Sequence, residues 1–530
     1  MAYVTTTDLA ATAPDQGAAM VGFAQLGSGA VARTMLDKAT ESISVLDYGA
    51  VGDGVTDDSV AIQAAIDANK GSLVVLPAGY TFLAAGIILL GSSYDGTRIA
   101  IEGTFLLKPA SGGNYDGLSW NGIVLADCEN CGVIVTGIID GNLINQPVDE
   151  HINGLRFSGA VNSWASPVNL REVMGDGIYI GRSASRNNHN ICIGQVIGRN
   201  SIDAGRNGIS VISCDGLALA GGILEKIGGT IGGLRMPGGL DLEVDGPSDL
   251  IRNVVSGPWL IETAGTSGLG LIGRAITDDQ SRDWNIDNVL IAPSSVTITA
   301  ADVGGPIFKR VKNLTADVTL FRTGGRSKGI SVDYVDFAAL SLRAKGCTTA
   351  VELGFENFVN DSDIHVQVED HSAAGLAVTG LNRVRLSGFV RGGKGAGSYG
   401  VQVAPGQRGS VLQTAIVYSV DIAYDDSSFG FQTSVGMTFS DCVIADCAFF
   451  GYPSPQIQCG FNVFLPSRNV QGRNYGTGQP AIGHWTAGDF VANTSPAISG
   501  GKILTGWHRL TSGNTNVSGT DWTPAYCTIS

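Results

Sequence analysis

Ser42 to Ala68 reads SISVLDYGAVGDGVTDDSVAIQAAIDA. Ile43, Val45 and Leu46 make a short apolar strand that runs into a Gly/Asp-rich turn. A helix is expected next, with Thr56 or Asp57 as its N-cap and Val60, Ile62, Ala65 and Ile66 along one apolar stripe. Gly49, Gly52 and Gly54 suit a turn that needs positive φ or close backbone approach. Asp47, Asp53, Asp57 and Asp58 form the densest acidic group near the start of the chain, and their place in the turn and before the helix points to capping.

Beyond the helix the chain repeats. Gly–aliphatic–x–aliphatic recurs as NGIVL at 121, NGLRF at 153, DGIYI at 176, NGISV at 207 and GGLDL at 238. Looser copies are SGLGL at 267, KGISV at 328, AGLAV at 374, YGVQV at 399, FGFQT at 429 and CGFNV at 459. The first glycines lie 32, 23, 31 and 31 residues apart, and the last 25, 30 and 30. One short strand per repeat at that period fits a three-sided β-solenoid coil. Glycine takes the corner, two aliphatics point inward, and the residue between them points out. Coils stack ~4.8 Å apart, so about a dozen make a rod of roughly 60 Å. A leucine-rich repeat is excluded, because recurrent Leu spacing with Asn at a fixed offset is missing.

Composition agrees. The 530 residues include 75 Gly, 44% hydrophobic and only 15% charged residues, which suits many short strands with a turn at each corner and argues against disorder. Length alone suggests about three or four domains, but a solenoid grows by adding rungs. A net charge of −15 argues against nucleic acid as a partner. Nine Cys show no metal spacing, and Cys128 and Cys131 lack the second pair a zinc site needs, so small buried hydrophobes are expected. No signal peptide is expected from the N-terminal residues. The uncharged run Leu73 to Gly91 is broken by Pro77-Ala78-Gly79 into strand, turn and strand, so no membrane insertion is expected.

The segment 42–68, with V-L-D-Y-G-A-V-G-D-G at its centre, resembles the entry to the pectate-lyase-like β-helix of bacteriophage tailspikes and capsular polysaccharide depolymerases. The resemblance implies an all-β chain built on a right-handed single-stranded parallel β-helix. Residues 1–40 would be a virion-attachment segment, 41–464 the β-helix, and 465–530 a small C-terminal β-module. That last stretch holds G-H-W-T-A-G-D-F-V-A-N-T-S-P and G-W-H-R-L-T-S-G, which resemble phage tail modules. It further implies a homotrimer in the virion tail or baseplate, acting outside the cell on a bacterial surface polysaccharide without metal or cofactor.

Alignment of the repeats predicts an outward column of Val124, Arg156, Tyr179, Ser210 and Asp241, with Glu243 two positions on. Asp241 and Glu243 at i and i+2 share the outer face of one strand, with side-chain roots ~7 Å apart. Glycoside cleavage needs one protonated and one ionised carboxyl, and this spacing straddles the retaining (~5–5.5 Å) and inverting (~6.5–9.5 Å) ranges. GGLDLEVD (238–245), after GDGIYIG (175–181) and RNGISVIS (206–213), resembles the catalytic coils of phage depolymerases. The chain departs from that motif at Val244-Asp245, where the family often has Pro-Asn. The resemblance makes Asp241 and Glu243 the catalytic candidates. Tyr179, Arg206, Arg156 and Ser210 rank after them as substrate contacts, with Glu225 and Asp245 as lesser ones. Hydrolase, lyase with Tyr179, Arg156 or Arg206 at the proton, and non-catalytic spike remain open. Trp485, Trp507 and Trp522 suit aromatic packing more than sugar stacking.

Overall fold

The computed structural model describes residues 4–13, 15–110, 118–231, 234–274, 284–325, 327–355, 358–393 and 398–403, short strands between 414 and 476, and residues 478–528 except 480–486, 489, 494 and 513–514. It divides into two compact units, residues 1–201 with 213–221 and residues 202–212 with 222–530.

In the first unit three parallel ladders run side by side. One stacks Ile87–Leu90, Ile123–Ala126, Leu155–Ser158 and Ile178–Gly181. A second runs from Ile43–Ser44 through Leu73–Leu76, Arg98–Ile101, Gly132–Val135 and Trp164–Ala165 to Asn188–Ile193 and Cys214–Leu219. The third contains Asp53–Asp57, Thr81–Ala84, Thr104–Leu107, Ile138–Asp140 and Val168–Arg171. One strand from each ladder makes one turn of a parallel β-helix, as the repeat predicts. Alternate apolar side chains fill the interior: Ile123, Leu125, Leu155, Phe157, Ile178 and Ile180 are all buried.

The corners explain the repeat's punctuation. A Cβ on Gly122 would sit 2.4 Å from the Gly154 carbonyl oxygen of the next coil, so glycine is the residue that lets these corners stack. The residue before each glycine forms a ladder of its own. Asn153 Nδ2 donates to Asn121 Oδ1 at 2.8 Å, and its Oδ1 accepts from the Asp176 amide at 2.9 Å.

The entry segment caps this unit, with three corrections. The helix is Ser59–Ala68. Its N-cap is Asp58, whose side chain turns back to accept from the amides of Val51 (2.6 Å) and Gly52 (3.1 Å), while Asp57 accepts from Ser59. Ile62, Ala65 and Ile66 face inward, but Val60 is 81% exposed, because it stands two positions from Ile62 and so off the i, i+3, i+4 stripe. The strand is also shorter than expected: Ile43–Ser44 passes at once into a 3-10 turn, Val45–Tyr48. Leu73–Leu76, Thr81–Ala84 and Ile87–Leu90 replace the uncharged run, and among the described residues no helix is long and apolar enough to cross a membrane.

The second unit continues the same construction. Ile209–Val211, Leu240–Glu243 and Leu269–Ile272 stack in parallel, followed by residues 307–309 and 331–332 of two 16-residue strands, Ile307–Arg322 and Ile330–Lys345. These long strands turn the solenoid corner without breaking, at left-handed Arg310, Asn313, Tyr334 and Phe337. The repeat count missed two coils here. Ile307–Lys309 and Thr349–Leu353 occupy the ladder without the motif, and Ala350 stands beside Gly329, where a Cβ would lie 1.8 Å from the Ala350 carbonyl oxygen. CGFNV is not the last copy, since Phe431–Gln432 pairs with Gly451–Tyr452; Gly460 to Asn462 lie outside the described residues. Among the described residues, the last parallel pairing of the β-helix sheet joins Val443–Ile444 to Val463–Phe464. Beyond it, Phe490–Asn493, Ile498–Ser499, Lys502–Arg509 and Trp522–Thr528 form a mainly antiparallel sheet. Trp507 and Trp522 are buried there with Val491, which assigns both to packing; Trp485 lies outside the described residues.

Of the cysteines the structure describes, Cys128, Cys131, Cys214 and Cys347 are buried, and Cys192 and Cys527 are exposed. Among the described residues no three metal-ligating side chains come together.

Candidate active site

The register of the second unit sets Ser210 beside Asp241, Asp241 beside Gly270, and Glu243 beside Ile272. Leu240 and Leu242 point inward and are fully buried, so Asp241 and Glu243 share the outer face, as strand alternation requires. Their surroundings differ. Asp241 is 1% exposed, against the expectation of an open column. The corner residue Asn207 covers it: Asn207 Nδ2 donates to Asp241 Oδ2 at 3.2 Å and to Ser210 Oγ at 2.8 Å, and Asn207 Oδ1 accepts from the Gly238 amide at 2.8 Å. Arg206 also donates to Ser210 Oγ, at 3.2 Å. Gly270 leaves the space on the other side, where a Cβ would lie 3.2 Å from Asp241 Oδ1.

Glu243 is the last residue of its strand, and its side chain is 28% exposed. Burial pushes its carboxyl above the usual carboxylate range, and the charge of Asp245 pushes the same way; Arg274 and Arg206 pull it partly back. Arg274 Nη2 stands 4.0 Å from Glu243 Oε1 and 4.0 Å from Asp245 Oδ1, so those two oxygens lie within twice that distance of each other. Asp245 is solvent-exposed, at the mouth of the turn after the strand. The accessible carboxyl pair is therefore Glu243 with Asp245, and Asp241 is their buried neighbour.

Arg274 was missed in the sequence. Counting on from SGLGL to Ile272, which pairs with Glu243, places Arg274 two positions further, level with Asp245. Glu225 does not join this group. It belongs to Gly222–Ile227, which pairs with Trp259–Thr263 in another ladder, and it faces Glu262 there. Arg156 and Tyr179 lie in the first unit, in register. The Arg156 guanidinium stacks over the Tyr179 ring at 4.9 Å, and that ring lies along its strand over Gly181.

Residues 42–198 match a family model described as rhamnogalacturonase A/epimerase, pectate lyase-like. Over that stretch, under a third of the chain, the sequence is similar to that family. Over 64 residues the chain is 50% identical to the tail spike protein of Shigella phage Sf6, a match covering 12% of this chain and 10% of that protein. The chain thus spans a tenth of the length of the curated relative it matches. Among solved structures, tailspike protein 3 of bacteriophage CBA120 is similar with a TM-score of 0.50 at 12% identity, over 91% of this chain and 71% of that one. This second likeness is one of fold.

Proposed function

We propose that this chain is a phage tailspike that binds a bacterial surface polysaccharide and cleaves it by glycoside hydrolysis, with Glu243 as general acid. The observation that carries the reading is the half-buried Glu243 at the end of an outward strand face, its pKa raised by burial and by the charge of Asp245. Asp245, exposed and level with Arg274, is the second carboxyl, which activates water or attacks the anomeric carbon. Asp241 is a positioning residue: it ties the Asn207 corner to the strand that ends in Glu243. Arg206 and Arg274 flank the acid and balance the charge of the bound site.

The tail spike relative, the pectate-lyase-like segment and a site on the solenoid's flank support a polymer substrate lying across successive coils. A homotrimer with residues 1–40 toward the tail, residues 41–464 as the β-helix and residues 465–530 as a distal module completes the reading. In solution, the protein should release oligosaccharides from the host's surface polysaccharide. Glu243→Gln should lower the turnover rate by about 10²–10⁴-fold while binding to host cells persists. A product absorbing as an unsaturated uronate would replace hydrolysis by a lyase reaction. Cell binding without any released fragment would leave a non-catalytic spike.

A further inference from the structure

A groove of about 670 Å³ opens on the second unit where the long strands have turned their corner, away from the ladder of Asp241 and Glu243. Register builds it. Thr315, Ala339, Asp363 and Arg385 stand side by side on successive coils, and so do Asp317, Ser341, His365 and Ser387. Ala339 and Ser341, the short side chains in mid-column, leave the trough.

A polar chain across these coils is set in one direction. Arg343 pairs with Asp317, and its Nε donates to Gln367 Oε1 at 3.3 Å. Arginine only donates, so the Gln367 amide presents its oxygen there and its Nε2 toward His365. That Nε2 lies 3.0 Å from His365 Nε2, which must therefore accept. Hence His365 Nδ1 carries the proton and donates to Ser387 Oγ at 3.1 Å. The imidazole is not a base for that hydroxyl, and Asp317 is held by Arg343, so the arrangement binds instead of reacting. The Ser387 proton is turned toward other acceptors.

The lining thus alternates aliphatic carbon (Leu290, Pro293, Ala339) with hydroxyls (Thr315, Ser341, Ser387) and carries both signs of charge in Asp363 and Arg385. A sugar ring has the same alternation of C–H and hydroxyl faces. The volume falls in the range of about 300–1,000 Å³ typical of small-ligand sites.

We propose that this groove is a second, non-catalytic saccharide site, gripping a short run of sugars of the surface polysaccharide and so holding the polymer while it is cut elsewhere. The identity of the polymer rests on the function proposed above; the saccharide chemistry of the groove does not. The test is titration calorimetry of the full chain in a Glu243→Gln background, with tri- to hexasaccharides released by mild acid from the host strain's surface polysaccharide. Two sites per chain are expected. Ala339→Trp, which fills the groove from an outward position, should abolish one of them or weaken it at least about tenfold. Ser387→Ala should weaken the same site by about three- to tenfold, the loss of one hydrogen bond. Neither should change hydrolysis of a short soluble fragment when Glu243 is intact. A single site untouched by Ala339→Trp overturns the inference and leaves the hydrolase reading standing. Two sites with no cleavage by the wild type does the reverse. No saccharide bound by any form overturns both. A change of oligomeric state on Ala339→Trp, seen by sedimentation, makes the groove an interface between copies and also overturns the proposal.

Discussion

Asn207 is the strongest single lever on the candidate site. Its side chain is buried and makes three hydrogen bonds, to Ser210, Asp241 and the Gly238 amide. Asn207→Ala removes all three and deprives a buried amide and a buried carboxylate of a partner. At about 1 kcal/mol for each neutral bond and about 1–3 kcal/mol for groups left without one, the loss is about 3–5 kcal/mol. For a unit of this size that lowers the unfolding midpoint by about 4–8 °C. The measurement is a thermal melt of wild type and variant, followed by far-ultraviolet dichroism at one scan rate. Asn207→Asp adds a sign. It keeps the acceptor for Gly238 but sets a carboxylate against Asp241, so the pair shares one proton and one folded-state pKa rises above its unfolded value. That stability is present at low pH and lost as pH rises through the raised pKa, so the variant should melt closer to wild type at acid pH than at neutral pH. An Asn207→Ala shift equivalent to less than about 0.5 kcal/mol, the range of an exposed substitution, would refute the corner as the anchor of Asp241.

The same geometry carries two further expectations. The turnover rate should fall as pH rises through the Glu243 pKa, because the acid must be protonated; Arg274→Gln should move that limb to higher pH, and a limb it leaves unmoved would remove Glu243 as the acid. At the entry cap, Ile62→Ala should cost about 2–5 kcal/mol, whereas Val60→Ser should stay within about 0.5 kcal/mol, as thermal melts of the two variants would show.

Much of the solenoid was legible because its signal is doubly periodic. Glycine at a corner and aliphatics at alternate positions recur for a steric reason, the stacking of one corner's carbonyl on the next corner's Cα. The reading failed where another residue met the same demand. Ala350 holds a corner without glycine, and Ile307–Lys309 comes directly after Pro306, so neither coil announced itself. The strand of Asp241 and Glu243 was legible for the same reason as the fold. The accessibility of its carboxylates was not, because it depends on contacts between coils 31 to 34 residues apart, such as Asn207 to Asp241 and Arg274 to Glu243. Glu225 shows the converse error: a carboxylate near in sequence lies on another ladder.

The burial of Asp241 also says where a β-helix can host chemistry. In mid-strand, a side chain is hemmed by the coils on either side, and a carboxylate there is drawn into the corner ladder of Asn207. At the strand's last residue the ladder loosens: the chain turns away at Asp245, and the next coil turns at Gly273, whose amide donates to the Lys309 carbonyl. Glu243 occupies that boundary. Burial against its own strand raises its pKa, and its side chain stays partly exposed. The charges that tune it, Asp245 and Arg274, come from the two turns, which are free to vary without disturbing the stacked core. A relative that altered only those turns would keep the coil and change the pH range, or the charge of the sugar, at which the acid works.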